Sequence, residues 1–367
     1  METLKFLQEN SLSALTDEFS IKVRQYPDCN LAVLNYNQIN SPKYHPIIRE
    51  CRGLIIDYEN RVPVARAFPR FFNLNEWQED PFDFTNIHQI EEKADGSLIT
   101  VYWWNGAWNI ATRGTAFGEA SLIMGDIKDF RSLFIKIIDT PIDTFMSRMS
   151  PEYSYVFELC SPYNKVIKLY RESKVYLTGA FNVSTGEELD RFHLDYCAGA
   201  LNVSRPIVYG FDDFNTDKLM ESFKDMHPTD EGYVLIDCNR NRIKVKNPSY
   251  VNLHHMKGDG ALTSKRICDI VFRGEVEEVL SYFPEFHDII IPYQEVYNLV
   301  MDEIDQVYEK YKDIEDQKEF ALSVKDLPYA SVLFSLRKGL TKSEILSNLS
   351  SDAKVRMLSQ SRNLLKG

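Results

Sequence analysis

The hydrophobic period of this chain changes near residue 250, and that change limits what the chain can become. Before it, apolar residues come in short runs or at alternate positions. "LITVYW" and "AWNIATR" flank Trp104-Asn105-Gly106, and an Asn-Gly pair supplies the positive φ angles of a tight hairpin. "YSYVFELC", "KVIKLY" and "KVYLTGAFNV" read as further strands, and "EGYVLIDCNRNRIKVKN" as strand, polar turn, strand. "METLKFLQENSLSALTDEFS" reads as an amphipathic helix, and "GEASLIMGDIKDFRSLFIKIID" and "DKLMESFKDM" have helical spacing. After the change the period is helical throughout. Val296, Val300, Ile304, Val307, Tyr311 and Ile314 make one stripe, and Thr341 three residues before Glu344 fits a capping box. The expected class is α+β: an antiparallel-sheet domain over residues 1–252, then a smaller all-α domain over 253–367, with the boundary in "YVNLHHMKG".

Several function classes are disfavoured at once. No run of apolar residues reaches the ~18 that a membrane span needs, and the acids in the first twenty residues argue against a signal or transit peptide. A cytoplasmic protein is expected. Six cysteines without a CxxC pair give neither a zinc site nor a disulfide framework. His254-His255 stands without any HExxH-type array. No GxxxxGK[ST] loop and no GxGxxG occurs, which argues against P-loop, kinase and Rossmann chemistry. The net charge of −12 opposes a generic nucleic-acid coat but allows a local basic groove.

Within the β-rich part, particular polar residues stand out. "EEKADGSLIT" puts Lys93 just before Asp95-Gly96, which reads alone as a hairpin turn. "RIKVK" alternates strictly, so Lys244 and Lys246 share one face of a strand, roughly 7 Å apart. The strand expected beside it begins at Glu231-Gly232, where the glycine allows close approach of a ligand. Glu158 lies inside the apolar "YVFELC", where an unpaired carboxylate would cost several kcal/mol, so a cation partner is expected. Arg52, Arg70 and Arg113 sit at strand or loop ends, Arg70 beside Phe71 and Phe72. Cations suit a triphosphate, and carboxylates suit Mg²⁺, which takes hard oxygen ligands.

In this order the segments resemble the covalent nucleotidyltransferases: "KADGS" their motif I (KxDG), "FEL" at 157–159 motif III, "EGYV" at 231–234 motif IV and "IKVK" at 243–246 motif V. "ECRGLI", "RFFNLNE", "SPYNKVIKLY" and "STGEEL" resemble the ATP-dependent bacteriophage RNA ligase 1 family, enzymes that reseal nicked tRNA. The resemblance runs over about residues 50–255. DNA ligases and capping enzymes follow motif V with an OB-fold, whereas this chain continues into helices. A DNA ligase, a capping-type enzyme and a catalytically idle RNA-binding homologue are the alternatives, the last disfavoured by the intact motif residues.

The resemblance implies a reaction and a set of roles. A lysine attacks the α-phosphorus of ATP, AMP passes to the 5′-phosphate of RNA, and a 3′-hydroxyl then displaces AMP. Lys93 would be the nucleophile. A free lysine is neutral in only about one molecule per thousand near neutral pH, and Lys244, Lys246 and bound Mg²⁺ (or Mn²⁺) would supply the positive charge that favours the neutral amine. Asp95 and Gly96 would present Lys93 and contact the ribose or the metal shell, with Glu92 beside the nucleotide. Glu158 would lie near the ribose or metal and Glu231 would bind the metal, Gly232 next to it. Lys244 and Lys246 would hold the α-phosphate. Arg52 and Arg70 would take the β- and γ-phosphates, with Phe72 under them or in the core. Arg113 stands where the family commonly has lysine. Tyr176 or Phe181 is the expected adenine-stacking residue, unless the stacking is aliphatic. The helical domain would help recognise RNA. Lys354, Arg356, Arg362 and Lys366 in the tail form either an RNA-facing patch or a solvated face.

Overall fold

A computed structural model describes residues 1–77, 79–122, 127–138, 140–210, 215–255 and 263–362. The chain divides into two compact units, Met1–Tyr250 and Val251–Gly367. Among the described residues the first unit contains β1 (Ile21–Tyr26), β2 (Leu31–Tyr36), β3 (Arg52–Asp57), β4 (Val62–Ala65), β5 (Phe72–Asn73), β6 (Ile87–Glu92), β7 (Ser97–Trp104), β8 (Ala107–Thr112), β9 (Tyr153–Cys160), β10 (Lys174–Asn182), β11 (Val208–Tyr209), β12 (Gly232–Asp237) and β13 (Arg242–Lys246).

These strands form three sheets, ordered β1-β2-β3-β4, β10-β9-β7-β8 and β11-β6-β12-β13-β5. All pairings are antiparallel except β13 with β5. The first sheet is buried on both faces, the second of them by Val33 and Ile55 packing with Tyr102 and Ala111 of the second sheet. Ile99, Val101, Phe157 and Leu177 pack with Phe134 and Leu194 from the helices Phe130–Ile137 and Arg191–Leu201. Ile21, Leu34 and Leu54 pack with Leu7 and Ile48. Leu235, Ile243 and Val245 pack with Phe82 and Phe223. On the opposite face of the second sheet Tyr102, Ala111, Val156 and Phe181 are also buried, and Glu158 is a polar residue set among them. The strict alternation of "RIKVK" is borne out: Ile243 and Val245 are buried, while Lys244 and Lys246 are partly exposed.

Turn chemistry explains the connections. Asn105 and Gly106 have φ of 51° and 76° and close the β7–β8 hairpin. Asp95-Gly96, by contrast, is no hairpin. Neither residue has positive φ, and the pair links β6 in one sheet to β7 in another. "KVIKLY" is likewise not a strand but irregular chain between β9 and β10. The first twenty residues form two helices, Glu2–Glu9 and Ala14–Phe19, because the Asn10 amide caps the Phe6 carbonyl and ends the first. In "GEASLIMGDIKDFRSLFIKIID" the helix is confined to Phe130–Ile137, capped by Asp129 through Ser132 N–H at 2.7 Å; residues 123–126 and 139 lie outside the described ones.

The second unit is helical throughout its described residues. Val296, Val300 and Ile304 bury the stripe of the long helix His287–Tyr311. The Thr341–Glu344 capping box forms in both directions. Lys354 does not belong to a surface patch: it is buried, donates to Asp269 at 2.8 Å and stands over the Phe272 ring. The Arg362 side chain and Lys366 lie outside the described residues, as do residues 256–258 of the expected boundary. No described helix is long and apolar enough to cross a membrane.

Candidate active site

Lys93 leaves the end of β6 and joins the third sheet by its backbone, its N–H donating to Gly232 O at 2.8 Å. That bond fixes where the side chain can reach. Nζ donates to Glu231 Oε2 at 2.7 Å, and Lys246 Nζ lies 3.6 Å from Oε1 of the same carboxylate. Glu231 is itself held by its carbonyl, which accepts from Asn247 N–H at 2.8 Å. The group closest to the Lys93 amine is therefore a carboxylate shared with Lys246, not a crowd of cations. Lys244 projects from the same face of β13 and stands 5.3 Å from the centre of the Phe71 ring.

The two glycines serve backbone packing. A Cβ on Gly96 would lie 2.4 Å from Leu159 O, and one on Gly232 would lie 2.3 Å from Val245 O. Gly232 also has φ of 129°, open only to glycine. The close approach expected at Gly232 is thus made by the neighbouring strand.

Asp95 is buried, and its carboxylate is fully engaged by protein. Oδ2 accepts from the N–H groups of Ile167 and Lys168 at 3.0 and 2.7 Å, and Oδ1 from the Tyr250 hydroxyl at 2.7 Å. Its own N–H donates to the Tyr170 hydroxyl. Asp95 ties the Lys93 turn to the 165–170 segment and to Tyr250. Lys168, anchored this way, pairs with Asp230 at 2.8 Å and approaches Glu92 at 3.7 Å.

Glu158 lies on β9 directly opposite Leu98 of β7 and Tyr176 of β10, so the three share a face. Its carboxylate accepts from Gly96 N–H at 3.1 Å. Loss of water pushes the carboxyl up to about 7; Lys93 pulls it down, Glu231 adds to the rise, and Arg52 and the Gly96 amide oppose it.

A second centre forms around Tyr36, at the end of β2 and almost fully buried. The Arg70 and Arg113 guanidinium carbons lie 4.2 and 4.5 Å from its ring centre. Burial raises the phenol, but Arg113, Arg52, Arg70 and Lys244 outweigh it and hold the hydroxyl below its ordinary pKa. Asn35 Oδ1 orients Arg113 through Nε at 3.0 Å. Arg70 is 4% exposed, and its Nη1 is buried without a hydrogen-bond partner. A buried donor on a cation, among three more cations, is a ready contact for an anion.

Beside Lys93 opens a cleft that includes Arg52, Glu91, Glu92, Lys93 and Glu158 in its lining. Its apolar walls come from Phe68, Phe71, Leu98, Pro206 and Val234. Neither Tyr176 nor Phe181 is among its lining residues; Phe181 packs against Phe68 with ring centres 5.0 Å apart. Glu231, Lys246 and Lys244 join the site through the contacts above. Phe72 is buried between Arg70 and the rings of Tyr44 and Trp77. Among the described residues no group of three or more His, Cys, Asp and Glu side chains could hold a metal ion.

Sequence reasoning missed Tyr36, Tyr250, Lys168 and Arg242. Arg242 was within reach, since alternation puts it on the face of Lys244 and Lys246; it lines the cleft, pairs with Glu188 and lies over Phe68. Tyr36 and Tyr250 carry no local signal, because their partners come from distant parts of the chain.

Comparison with known proteins adds the following. The family model described as RNA ligase matches residues 50–250. A protein of Autographa californica nuclear polyhedrosis virus, named "Putative bifunctional polynucleotide kinase/RNA ligase", is 28% identical over 383 residues, covering 99% of this chain and 53% of that protein. The chain thus spans about half the length of the curated relative it matches. Among solved structures, an archaeal ATP-dependent RNA ligase is 11% identical with a TM-score of 0.49, over 99% of this chain and 98% of that one. A Naegleria gruberi RNA ligase mutant with ATP and Mn is 14% identical with a TM-score of 0.36, over 46% of this chain and 52% of that one.

Proposed function

This chain belongs to the RNA ligase family, and from that membership we propose that it uses ATP to join a 5′-phosphate to a 3′-hydroxyl of RNA through an adenylate carried on Lys93. The observation that supports this most is a cleft lined by Lys93, Glu158 and Arg52 together, with Glu231 paired to the Lys93 amine and Arg70 gathered with Arg52 about Tyr36.

In the first step Lys93 Nζ attacks the α-phosphorus. A P–N bond forms, the bond to the bridging oxygen breaks, and pyrophosphate leaves. The amine must first lose a proton and be released by Glu231, its partner at 2.7 Å. Lys246 and Lys244 stabilise the charge that grows on the α-phosphate. Arg52, Arg70 and Arg113 around Tyr36 hold the β- and γ-phosphates, so pyrophosphate departs on the side away from Lys93. The apolar walls, Val234 and Leu98 among them, take the adenine. AMP then passes to the RNA 5′-phosphate, and the 3′-hydroxyl displaces it.

The residues present fit a divalent ion of the Mg²⁺ or Mn²⁺ kind. Such an ion needs only one or two carboxylates, completing its shell with phosphate oxygens and water. Glu231, with Glu158 near it, would hold it, and it would supply positive charge at the α-phosphate. The RNA ends would be those of a nicked tRNA, and the helical unit would contribute to recognising them.

Mass analysis after incubation with ATP and Mg²⁺ tests the reading. Wild type gains one adenylate, Lys93→Ala gains none, and wild type then seals single-stranded RNA in preference to DNA. A wild-type protein that takes up no adenylate would instead be an RNA-binding homologue without ligase chemistry.

A further inference from the structure

Next to the cations around Tyr36 lies a group of rings that nucleotide chemistry at Lys93 does not use. Tyr44 and Trp77 are stacked, their ring centres 5.0 Å apart and their planes at 13°. Phe72 meets both rings, 5.1 Å from each. The Arg49 guanidinium lies 5.4 Å from the Trp77 ring. Tyr44 is 37% exposed although its hydroxyl is fixed, donating to Glu76 O at 3.0 Å. The stack is therefore an ordered aromatic surface, with Tyr44 its more exposed member.

Two features tell what it faces. The first is continuity with the anion-binding centre. Arg49 and Arg70 are joined by backbone and side chain, through Arg70 N–H to Arg49 O at 2.7 Å and Arg49 Nε to Arg70 O at 3.3 Å. Arg70 then covers both Phe72 and Tyr36. The second is charge. The nearby acids keep their charge but are turned to donors of the protein: Glu50 accepts from the N–H groups of Glu2 and Thr3 and from the Thr3 hydroxyl, Glu76 from Asn73 N and Nδ2, and Asp80, within electrostatic reach of Arg49, from Phe82 N–H. Stacked rings bordered by arginines, next to a buried guanidinium nitrogen without a partner, match the chemistry of single-stranded nucleic acid, whose bases stack on aromatic faces while its phosphates meet cations.

We propose that the Tyr44–Trp77 stack is a docking platform for a nucleobase at the single-stranded RNA end to be sealed, its adjacent backbone phosphate meeting Arg49 while Arg70 stays with the phosphates of ATP. This rests on the RNA ligase reading above and adds where the RNA strand sits. The exposed aromatics of the helix Arg191–Leu201, Phe192 and Tyr196, have no such connection to the cations around Tyr36 and serve as the comparison surface.

The experiment is a fluorescence-anisotropy titration of the full chain with a short, end-labelled single-stranded oligoribonucleotide, without ATP. Tyr44→Leu should weaken binding roughly tenfold, within the range for one base–aromatic stack. Tyr44→Phe should bind within about twofold of wild type, as should Tyr196→Ala. An oligonucleotide with abasic units at the labelled end should bind wild type about tenfold more weakly and lose no further affinity in Tyr44→Leu. The proposal is overturned if Tyr44→Leu binds as wild type does, or if its deficit persists on the abasic strand. It is overturned equally if wild type does not distinguish the abasic strand, a comparison that needs no variant to fold. Adenylate uptake by Lys93 without RNA is read separately, so loss of the ligase reading cannot be mistaken for loss of the platform.

Discussion

The Lys93 amine and the Glu231 carboxylate form an ion pair at 2.7 Å, with side chains 21% and 8% exposed. In this arrangement Glu231 accepts a hydrogen bond from the amine and holds it in place, so the amine must give up a proton and be released before it can attack. Lys93→Arg keeps the charge and the pairing but removes the proposed nucleophile. Its denaturation midpoint should correspond to a change of less than about 1 kcal/mol, while mass analysis finds no adenylate. Glu231→Gln should slow adenylate uptake about a hundredfold, as expected for loss of a group that acts on the proton or the phosphate. A Glu231→Gln protein labelled at the wild-type rate would remove Glu231 from the mechanism.

Asp95 is expected to be a positioning residue. Replacing it with alanine leaves the Ile167 and Lys168 N–H groups and the Tyr250 hydroxyl without their acceptor, a loss of about 3 kcal/mol in urea denaturation. Tyr250→Phe removes one of the three bonds and should cost about 1 kcal/mol. Equal stability of Asp95→Ala and wild type would show that these bonds contribute nothing net.

At Gly96 and Gly232 the added methyl group itself is the test. Alanine at Gly96 places Cβ against the Leu159 carbonyl, and alanine at Gly232 adds a disallowed φ to a similar clash. Each should lower stability by about 3 kcal/mol in thermal or urea unfolding. Alanine at Gly106, where a Cβ meets nothing within 4 Å, isolates the cost of positive φ alone and should fall nearer 1 kcal/mol.

Glu158 gives stability a pH dependence of definite sign. Its carboxyl rises from 4.5 to about 7 on folding, so the folded state binds the extra proton between those values. Stability from this group is complete below about pH 4.5 and is lost as pH rises through 7. Relative to Glu158→Gln, wild type should lose about 2 kcal/mol between pH 5.5 and pH 8. Parallel pH profiles for the two proteins in urea titrations would refute the raised carboxyl.

In the helical unit, Lys354→Ala would leave Asp269 in a partly buried site with the Ser351 hydroxyl and the charge of Arg273 in place of its closest cation. A destabilisation of about 3 kcal/mol is expected by calorimetry. Arg356→Ala should stay within about 0.5 kcal/mol, as for an ordinary surface change.

What the sequence made legible follows from what each signal depends on. Lys244 and Lys246 were placed on one face because the strand period needs only the backbone, and β13 obeys it. The Asn105-Gly106 hairpin was readable for the same local reason. Asp95-Gly96 misled because the dipeptide's tolerance of positive φ was taken as its use. Here the glycine is required by the carbonyl of Leu159, a residue on another strand. "KVIKLY" reads as a short strand, yet its N–H groups at 167 and 168 bond to Asp95 instead of a sheet neighbour. Tyr36 reads as the end of an apolar strand, and only the folded chain gathers Arg52, Arg70, Arg113 and Lys244 about it.

The reach of the Asp95 carboxylate also bears on synthesis of the chain. Asp95 emerges from the ribosome well before the hydroxyl of Tyr250 that completes its bonding, 155 residues downstream. A nascent chain halted anywhere in between holds the lysine turn without its final clasp. The polypeptide therefore cannot finish the corner around Lys93 until the whole first unit has been translated, and products truncated before Tyr250 should be unable to capture nucleotide.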